Sequence, residues 1–244
     1  MRANTQPTEK PFHDKLGTLQ IQEIFYTIQG EGPYAGQPAV FIRTAGCNLQ
    51  CPLCDSDYTS RRTVYSVSEL VAKVTYRFER LQRSFHVKSR PLVVITGGEP
   101  FRQNITPLAE ALLQAGYRVQ VETNGTFYLA TFPYSLVTIV CSPKTPTINA
   151  NLPVDAYKYV MDAQHMDIHD GLPTSVLGQV NADNELLAPA RPREWDPASV
   201  TIYLQPADEV DAAKNADNRR AVIASCMKYG YTFCLQMQKI LNLP

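Results

Sequence analysis

Three of the six cysteines lie within eight residues of one another, at a spacing that could hold a metal. Cys47, Cys51 and Cys54 form a C-x3-C-x2-C pattern. A structural zinc site ordinarily uses four protein ligands, and the distant cysteines and histidines show no paired spacing that would supply a fourth. Asp55 could complete a zinc site, although a carboxylate there would be unusual. A four-iron cluster on three thiolates differs, because it leaves one iron open to a small molecule. An accidental group of cysteines is the third interpretation.

The bulk composition favours one globular domain. The chain has 244 residues, of which 44% are hydrophobic, and 23 basic residues balance 23 acidic ones. A net charge of zero gives no support for sequence-independent binding to a phosphate backbone. The N-terminus is polar and lacks the apolar core of a signal peptide, and no apolar run could span a bilayer. We therefore expect a cytoplasmic protein with reduced thiols, in which clustered cysteines indicate a metal site.

Short apolar runs alternate with amphipathic segments, which predicts a mostly parallel α/β sheet, either barrel-like or open. The predicted strands are 39–46, 91–100, 117–125, 135–144, 156–162 and 199–206, and the segment 231–237 is expected to close the fold. The predicted helices are 66–82, 105–116, 183–188 and 208–229. Ser66 and Glu69 have the spacing of a capping box at the start of the first helix. Residues 1–17 are expected to form a flexible N-terminal arm, and 18–244 a single domain.

Polar or glycine-rich signatures stand at the carboxyl ends of several predicted strand segments. They are Gly97-Gly98-Glu99, Glu122-Thr123-Asn124-Gly125, Ser142-Pro143-Lys144 and Gln205-Pro206. Each one alone is explained equally well by a turn, because Gly, Pro and Asn are turn residues. In β/α barrels, however, the active site forms at the carboxyl ends of the strands. Their consistent position, shared by the cysteine loop, therefore predicts that they converge on one mouth.

The cysteine spacing, followed by a Gly-Gly-Glu turn on a later strand, resembles the radical S-adenosylmethionine (SAM) superfamily. The resemblance implies an abridged, partial β/α barrel of the radical SAM type with mostly parallel strands. It implies that Cys47, Cys51 and Cys54 bind a [4Fe-4S] cluster whose open iron takes the amino and carboxylate groups of SAM. In that superfamily the reduced cluster cleaves SAM to a 5′-deoxyadenosyl radical, and the Gly-Gly-Glu turn holds the methionine amino group.

Longer motifs narrow the resemblance to the 7-carboxy-7-deazaguanine synthase family. They are FYTIQGEGPYAGQPAVFIRTAGCNLQCPLCDSDYT (25–59), VVITGGEP (93–100), VETNGT (121–126), CSPK (141–144), YKYVMD (157–162), YLQP (203–206) and LQMQKILNLP (235–244). The resemblance implies a homodimeric lyase that converts 6-carboxy-5,6,7,8-tetrahydropterin to 7-carboxy-7-deazaguanine with loss of ammonia, in queuosine-type biosynthesis. It also implies an electron donor such as a flavodoxin or ferredoxin, and no direct binding of nucleic acid or membrane.

The resemblance also assigns roles to individual residues. The implied substrate-binding residues are Gln29, Glu31, Arg43, Gln238 and Pro244, the last two in a C-terminal segment that closes over the substrate. Glu and Gln suit the amidine-like edge of a pterin, and Arg suits a carboxylate. The implied cofactor-binding residues are Leu53, Gly97, Gly98, Glu99, Thr123, Asn124, Ser142, Lys144 and Gln205. Ser56 is expected to ligate a Mg²⁺ ion that also meets the substrate carboxylate.

Three of these positions depart from the usual family residue. Leu53 stands where relatives often have an aromatic residue near the adenine, and Ser56 stands where threonine is usual. Gln238 replaces a histidine. Glutamine can donate a hydrogen bond but cannot carry a proton at neutral pH, so we expect a positioning role there rather than a proton relay.

Two other functions share part of the pattern. A radical SAM activase, which makes a glycyl radical on a partner protein, has the same cysteine spacing but does not need the QGEGP and CDS elements. A non-catalytic zinc-binding module would bind zinc, show no iron absorption and never cleave SAM. Reconstitution with iron and sulfide, followed by product analysis, separates the three functions.

Overall fold

The computed structural model describes residues 4–85, 90–194, 196 and 200–244. Its strands are β1 (Leu19–Ile28), β2 (Pro38–Thr44), β3 (Thr63–Tyr65), β4 (Leu92–Gly97), β5 (Arg118–Thr123), β6 (Thr138–Cys141), β7 (Ala156–Met161), β8 (Thr201–Pro206) and β9 (Thr232–Phe233). Its helices are α1 (Val67–Phe85), α2 (Thr106–Gln114), α3 (Ala212–Tyr229) and α4 (Met237–Ile240). Within the described residues, all the strands belong to one open sheet in the order β3-β1-β2-β4-β5-β6-β7-β8-β9.

The strands from β2 to β9 in this order are parallel, so their carboxyl ends lie along one edge of the sheet. The central strand β4 is buried on both faces. Val93 and Ile95 belong to the main core with residues of α1 and α2, whereas Leu92 and Val94 pack with Ala39 in a second cluster. Burial on both faces explains its continuous apolar sequence. The predicted partial β/α barrel with mostly parallel strands is confirmed.

Two further strands, β1 and β3, were not predicted. β1 pairs antiparallel with both β2 and β3, and its register against β2 shifts between Ile21 and Glu23. That irregularity interrupts the two-residue alternation by which a half-buried strand is recognised in a sequence. β3 has only three residues, which is too short to carry a periodic signal.

The helix ends follow local capping chemistry. The Ser66 hydroxyl accepts a hydrogen bond from the Glu69 N–H, and the Glu69 carboxylate accepts one from the Ser66 N–H, as the capping box predicts. α3 begins after Asp211, whose side chain caps it, and ends at Gly230, which has φ of 78°. None of the described helices has the length and apolar character needed to cross a membrane.

The short helix predicted over 183–188 is wrong. Val180 and Leu186 form an antiparallel bridge there, and Asn184 has φ of 61°. The Asn181 side chain accepts hydrogen bonds from the N–H groups of Asp183 and Glu185. An asparagine that bonds to the main chain two residues on stabilises a turn in place of a helix.

The N-terminal segment lies against the cysteine loop. The N–H groups of Asn4, Glu9 and Phe12 donate to the carbonyl oxygens of Pro52, Cys47 and Arg102, at 2.8, 2.7 and 2.8 Å. These contacts were not predicted, because a polar sequence carries no sign of a partner 40 residues away. The division into an arm over 1–17 and a single domain over 18–244 stays a prediction.

Candidate active site

One cavity of about 460 Å³ opens at the carboxyl edge of the parallel strands. Its wall includes the three clustered cysteines, Ser56, and all of the predicted substrate- and cofactor-binding residues except Leu53 and Glu99. The ends of the parallel strands therefore meet at one cavity, as the sequence predicted. Cys141, Cys226 and Cys234 lie elsewhere and are buried.

The cysteine loop begins in direct contact with the Gly-Gly-Glu turn. The Glu99 N–H donates to the Gly46 carbonyl oxygen at 3.0 Å. A Cβ atom at Gly98 would lie 2.2 Å from that oxygen and 2.8 Å from Cys47 Cβ. Only glycine fits this approach of two main chains. The two motifs that carry the radical SAM resemblance are therefore packed against each other.

The three thiols face the cavity but do not form a site for a single ion. Burial raises the pKa of Cys47 to about 12 and also raises those of Cys51 and Cys54. Such thiols ionise readily only with a positive partner such as a metal. Among the described residues, no three His, Cys, Asp or Glu side chains are placed to share one ion. In a four-iron cluster each thiolate binds its own iron, and three cysteines that line one cavity fit such a cluster.

Glu99 is buried behind the wall of the cavity. Its carboxylate accepts hydrogen bonds from the Thr123 hydroxyl and the Asn124 N–H, both at 2.7 Å, and from the Phe101 N–H at 3.0 Å. Burial raises the pKa of Glu99 to about 7 despite these donors. The carboxylate thus fixes the position of the turn after β5. Thr123 and Asn124, which do line the cavity, depend on it for their place.

Leu53 also points away from the cavity. Its N–H donates to the Leu177 carbonyl oxygen at 3.1 Å, and its side chain lies against Gly178. Leu177, which has φ of 51°, lines the cavity instead. Sequence reasoning missed Leu177 because 163–199 had no readable periodicity. The aliphatic surface expected from Leu53 is provided by a residue from a distant loop.

Several polar atoms in the wall are available to a ligand. Gln205 is buried, and its Oε1 atom has no hydrogen-bond partner among the described residues. The Thr27 hydroxyl is likewise buried without a partner among the described residues. A buried acceptor without a partner is costly, so these atoms indicate a ligand with N–H or O–H donors. SAM and a pterin both carry such donors, so either ligand could bond to these atoms.

The wall of the same cavity also contains a buried group of charges. Lys158 forms an ion pair with Glu31, and its Nζ atom lies 3.7 Å from Oε2 of Glu122. Burial opposes ionisation, but the carboxylates of Glu122 and Glu31 raise the pKa of Lys158 overall. Burial likewise acts against the Glu31 carboxylate, but the Lys158 ammonium and two amide donors lower the pKa of Glu31 overall. The Lys158 ammonium thus lies between two acidic side chains.

The C-terminal segment closes onto this charged group. Nε2 of Gln238 donates to Glu31 at 2.8 Å, and Nε2 of Gln236 donates to the same oxygen at 3.1 Å. A Cβ atom at Gly30 would lie 1.7 Å from Oε1 of Gln238. The absence of a side chain at the first glycine of the QGEGP motif therefore lets the C-terminal segment pack there. Pro244 also lines the cavity. Gln29 helps to hold the group, since its Nε2 donates to Glu122 at 3.0 Å.

Arg43 and Ser56 stand together at the rim. A terminal nitrogen of Arg43 lies 3.4 Å from the Ser56 hydroxyl, and Nε donates to Glu23 at 2.7 Å. The neighbouring Asp55 is paired with Lys239 at 3.2 Å. One hydroxyl oxygen suits Mg²⁺, which keeps most of its ligands as waters and substrate oxygens. The rim therefore fits a substrate carboxylate held by a guanidinium and a magnesium ion.

Lys158 and Glu122 are site residues to which the sequence prediction assigned no role, Lys158 because its place within a strand made it a weaker candidate than Lys144. Lys158 had a usable signal, since a lysine inside the apolar run AYKYVM of β7 must pair with a charge when buried. Glu122 belongs to the VETNG motif, but as the penultimate residue of β5 it could face either side of the sheet. Its orientation depends on register, which composition does not give.

A mostly parallel open sheet, with three cysteines packed beside a Gly-Gly-Glu turn at its carboxyl edge, defines the radical SAM class of enzymes. No protein-family model matches the chain. The chain is 41% identical over 234 residues to the 7-carboxy-7-deazaguanine synthase of Rhodospirillum rubrum, covering 93% of both sequences. It is 32% identical over 232 residues to that of Rickettsia prowazekii, covering 92% of this chain and 88% of the relative.

The solved structure of QueE from Escherichia coli has the same fold, with a TM-score of 0.62 at 22% identity over 89% of this chain and 93% of that chain. The chain belongs to the 7-carboxy-7-deazaguanine synthase family and is a lyase of the radical SAM type. The glycyl-radical activase and the zinc-binding module are therefore set aside.

Proposed function

We propose that the protein uses a [4Fe-4S] cluster, SAM and Mg²⁺ to convert 6-carboxy-5,6,7,8-tetrahydropterin to 7-carboxy-7-deazaguanine with loss of ammonia. The observation that carries this proposal is that one cavity is lined both by three cysteine thiols and by a buried group of charges, Lys158 with Glu31 and Glu122. A cofactor bound at the thiols would share the cavity with a substrate bound at the carboxylates. A small polar heterocycle suits a cavity of about 460 Å³.

Cys47, Cys51 and Cys54 would hold the cluster. Gly97, Gly98, Thr123, Asn124, Ser142, Lys144 and Gln205 would surround SAM. When bound, the cluster and SAM supply the 5′-deoxyadenosyl radical that starts the ring contraction. Gln205 offers a buried acceptor to a ligand N–H group. Leu177 contributes apolar surface that excludes water from the cofactor.

The carboxylates of Glu31 and Glu122 would bind the pyrimidine edge of the pterin, because that edge carries several N–H donors. Lys158 lowers the pKa of Glu31 against the effect of burial, and its ammonium lies between the two carboxyl groups. Acceptors fixed before binding select a ligand by its donor pattern, since a ligand without those donors would leave a buried carboxylate unpaired. Gln238 takes a positioning role through its bond to Glu31.

The substrate carboxylate would lie at the rim, against the Arg43 guanidinium and a Mg²⁺ ion ligated by Ser56. Arg43 is already paired with Glu23 through Nε, which fixes its guanidinium while a terminal nitrogen faces Ser56. Anchoring the heterocycle at both ends fixes the reacting carbon between them. We further propose that the enzyme is a homodimer and receives electrons from a flavodoxin or ferredoxin.

The test is an anaerobic reaction of the protein reconstituted with iron and sulfide. Substrate, SAM, Mg²⁺ and a reductant are supplied, and the products are identified by mass spectrometry. We expect 7-carboxy-7-deazaguanine and ammonia in equal amounts. A brown protein that cleaves no SAM after reduction would contradict the proposed function, and so would SAM cleavage without any deazaguanine product.

A further inference from the structure

A side chain from outside the predicted site contacts one of the three thiols. Nε2 of Gln179 donates a hydrogen bond to Sγ of Cys51 at 3.0 Å. Gln179 lies between β7 and β8, and it is not a residue that the family resemblance assigned. Within the described part of the chain, no other side chain donates to a sulfur of the cysteine loop. This bond therefore distinguishes Cys51 from the other two ligands.

The main chain around Gln179 is fixed to the cysteine loop and to itself. The Leu177 carbonyl oxygen accepts a hydrogen bond from the Leu53 N–H at 3.1 Å, and Gly178 packs on Pro52. The Gln179 N–H donates to Val176, and its carbonyl oxygen accepts from the Leu187 N–H at 2.9 Å. The side chain thus starts from an anchored position next to Cys51. A glutamine held there directs its amide dipole at the sulfur.

We propose that Gln179 donates a hydrogen bond to the Cys51 thiolate of the bound cluster and raises the reduction potential of that cluster. This inference rests on the proposed function, because it requires the cysteine loop to hold a [4Fe-4S] cluster. Reduction adds one negative charge to the cluster. An N–H group aimed at a ligand sulfur stabilises the reduced form more than the oxidised form. Gln179 would therefore make it easier for the electron donor to reduce the enzyme.

The test is the midpoint potential of the reconstituted protein, measured by an anaerobic titration followed by electron paramagnetic resonance. Gln179→Leu removes the donor at similar size, and Gln179→Glu replaces it with an acceptor. We expect the equilibrium constant for reduction to fall about tenfold in Gln179→Leu, which is about 59 mV for one electron. Gln179→Glu should shift further in the same direction. Gln50→Leu, an exposed position in the same loop, is the matched control and should match wild type.

Each outcome decides between the roles. Wild-type midpoint and wild-type iron content in Gln179→Leu would overturn the proposal, and so would an equal shift in Gln50→Leu. Loss of the cluster from both Gln179 variants would assign the residue to cluster binding and contradict a tuning role. A wild-type protein that takes up no iron–sulfur cluster would instead overturn the proposed function.

A separate set of contacts holds the main chain of the same loop. The Asn4 side chain donates to the Cys51 carbonyl oxygen at 3.1 Å, and the Glu9 N–H donates to that of Cys47 at 2.7 Å. Nε2 of Gln6 donates to the Ser56 carbonyl oxygen at 2.9 Å, while its Oε1 accepts from the Tyr58 N–H at 2.7 Å. Residues 4–9 thus contact the loop from its first ligand to beyond its last.

We infer that residues 4–9 form a clasp that keeps the cysteine loop in its cluster-binding conformation and slows loss of the cluster. The clasp acts on carbonyl oxygens and N–H groups, so it restrains the loop without occupying the sulfurs. A loop of polar residues that lacked these bonds would have more conformations to lose on binding iron. This inference also rests on the cluster assignment.

The test is the rate at which a ferrous chelator removes iron from the reconstituted protein under anaerobic conditions. We expect Asn4→Ala/Gln6→Ala to lose iron at least ~5-fold faster, since one net hydrogen bond has about that value. The thermal midpoint of the apo-protein should stay near that of wild type, because the clasp lies outside the main core. Lys10→Ala, an exposed side chain in the same segment, is the control. An unchanged rate of iron release would contradict the clasp proposal. Faster iron release together with a lower thermal midpoint of the apo-protein would also contradict it, because residues 4–9 would then stabilise the whole fold rather than the cysteine loop.

Discussion

The two walls of the cavity are held in place by different forces. On the cysteine side, main-chain hydrogen bonds and glycine contacts fix the loop, such as Glu99 N–H to Gly46 and the close approach of Gly98. On the charged side, buried charges fix the wall, with Lys158 between Glu31 and Glu122. In the first arrangement the close contacts are mostly between main-chain atoms. The second is charged and keeps polar atoms facing the cavity.

The difference suggests a division of work between the walls. A cluster needs three sulfurs at fixed separations, which main-chain contacts of a short loop can give. The enzyme must distinguish a pterin from other small heterocycles. Buried carboxylates can do so, because they bind a ligand according to the hydrogen-bond donors that it offers. Substitutions in one wall should therefore leave the chemistry of the other wall largely intact. Variants of each wall test this separation.

The largest effect is expected on the cysteine wall. Replacing Cys47, Cys51 or Cys54 by alanine should abolish both the cluster and all SAM cleavage, because three thiolates are the fewest that leave a single open iron. Cys226→Ala is the control and should retain full iron content. Iron per chain and release of 5′-deoxyadenosine are the measurements. Full turnover by any of the three variants would refute the assignment of the cysteine loop.

On the charged wall, Lys158→Met should lower the free energy of unfolding by about 3–5 kcal/mol, because it leaves buried carboxylates without their cation. Chemical denaturation of the apo-protein measures this. The matched control is Lys214→Met, which removes an exposed ion pair whose Nζ lies 3.1 Å from a Glu209 carboxylate oxygen. It should change the free energy of unfolding far less, because solvent screens an exposed pair. An equal loss of unfolding free energy in the two variants would contradict a buried charge network around Lys158.

Gly98→Ala should impair cluster uptake and lower stability by about 1–3 kcal/mol, because its Cβ would lie 2.2 Å from the Gly46 carbonyl oxygen. Gly36→Ala is a useful contrast, since that site has open space but a φ of 89°. Strain alone should cost it about 1–2 kcal/mol and leave iron uptake unchanged. Normal iron uptake in Gly98→Ala would show that the turn and the loop are not interlocked.

The smallest effect concerns Ser56 at the rim. Turnover should respond to Mg²⁺, and Ser56→Ala should weaken that response without changing iron content, because alanine lacks the hydroxyl ligand. Ser56→Thr should keep or improve the response, since the added methyl restricts χ1. Initial rates against magnesium concentration at saturating SAM provide the comparison. Superimposable curves for wild type and Ser56→Ala would place the metal elsewhere.

The cysteine wall was largely predictable because its signals are local in sequence. Cys47, Cys51 and Cys54 share one loop, and Gly97 and Gly98 follow one buried strand. What local patterns could not give is the partner of each polar residue. The arm over 4–9 bonds to a loop some 40 residues away, and Gln179 reaches Cys51 from 128 residues away.

The charged wall was less predictable because it is assembled from the whole chain. Glu31 and Gln238 are 207 residues apart in sequence but hydrogen-bonded in the fold. For Glu99 the motif was recognised from the sequence, but the orientation of the side chain was not. Its carboxylate bonds to Thr123 and Asn124 behind the wall of the cavity. A motif identifies a residue as part of a site, but only the register of strands and loops determines which atoms reach a ligand.

The separation of the two walls is tested most directly by Glu31→Gln in one anaerobic reaction that measures iron content, 5′-deoxyadenosine and 7-carboxy-7-deazaguanine together. The substitution removes the charge that pairs with Lys158 while keeping the size of the side chain. We predict wild-type iron content and continued reductive cleavage of SAM, with deazaguanine formation lowered by at least about 100-fold, as expected for the loss of a charged contact worth about 3 kcal/mol. Loss of iron or of SAM cleavage together with product, or product formation at the wild-type rate, would contradict the division of the cavity into a cofactor wall and a substrate wall.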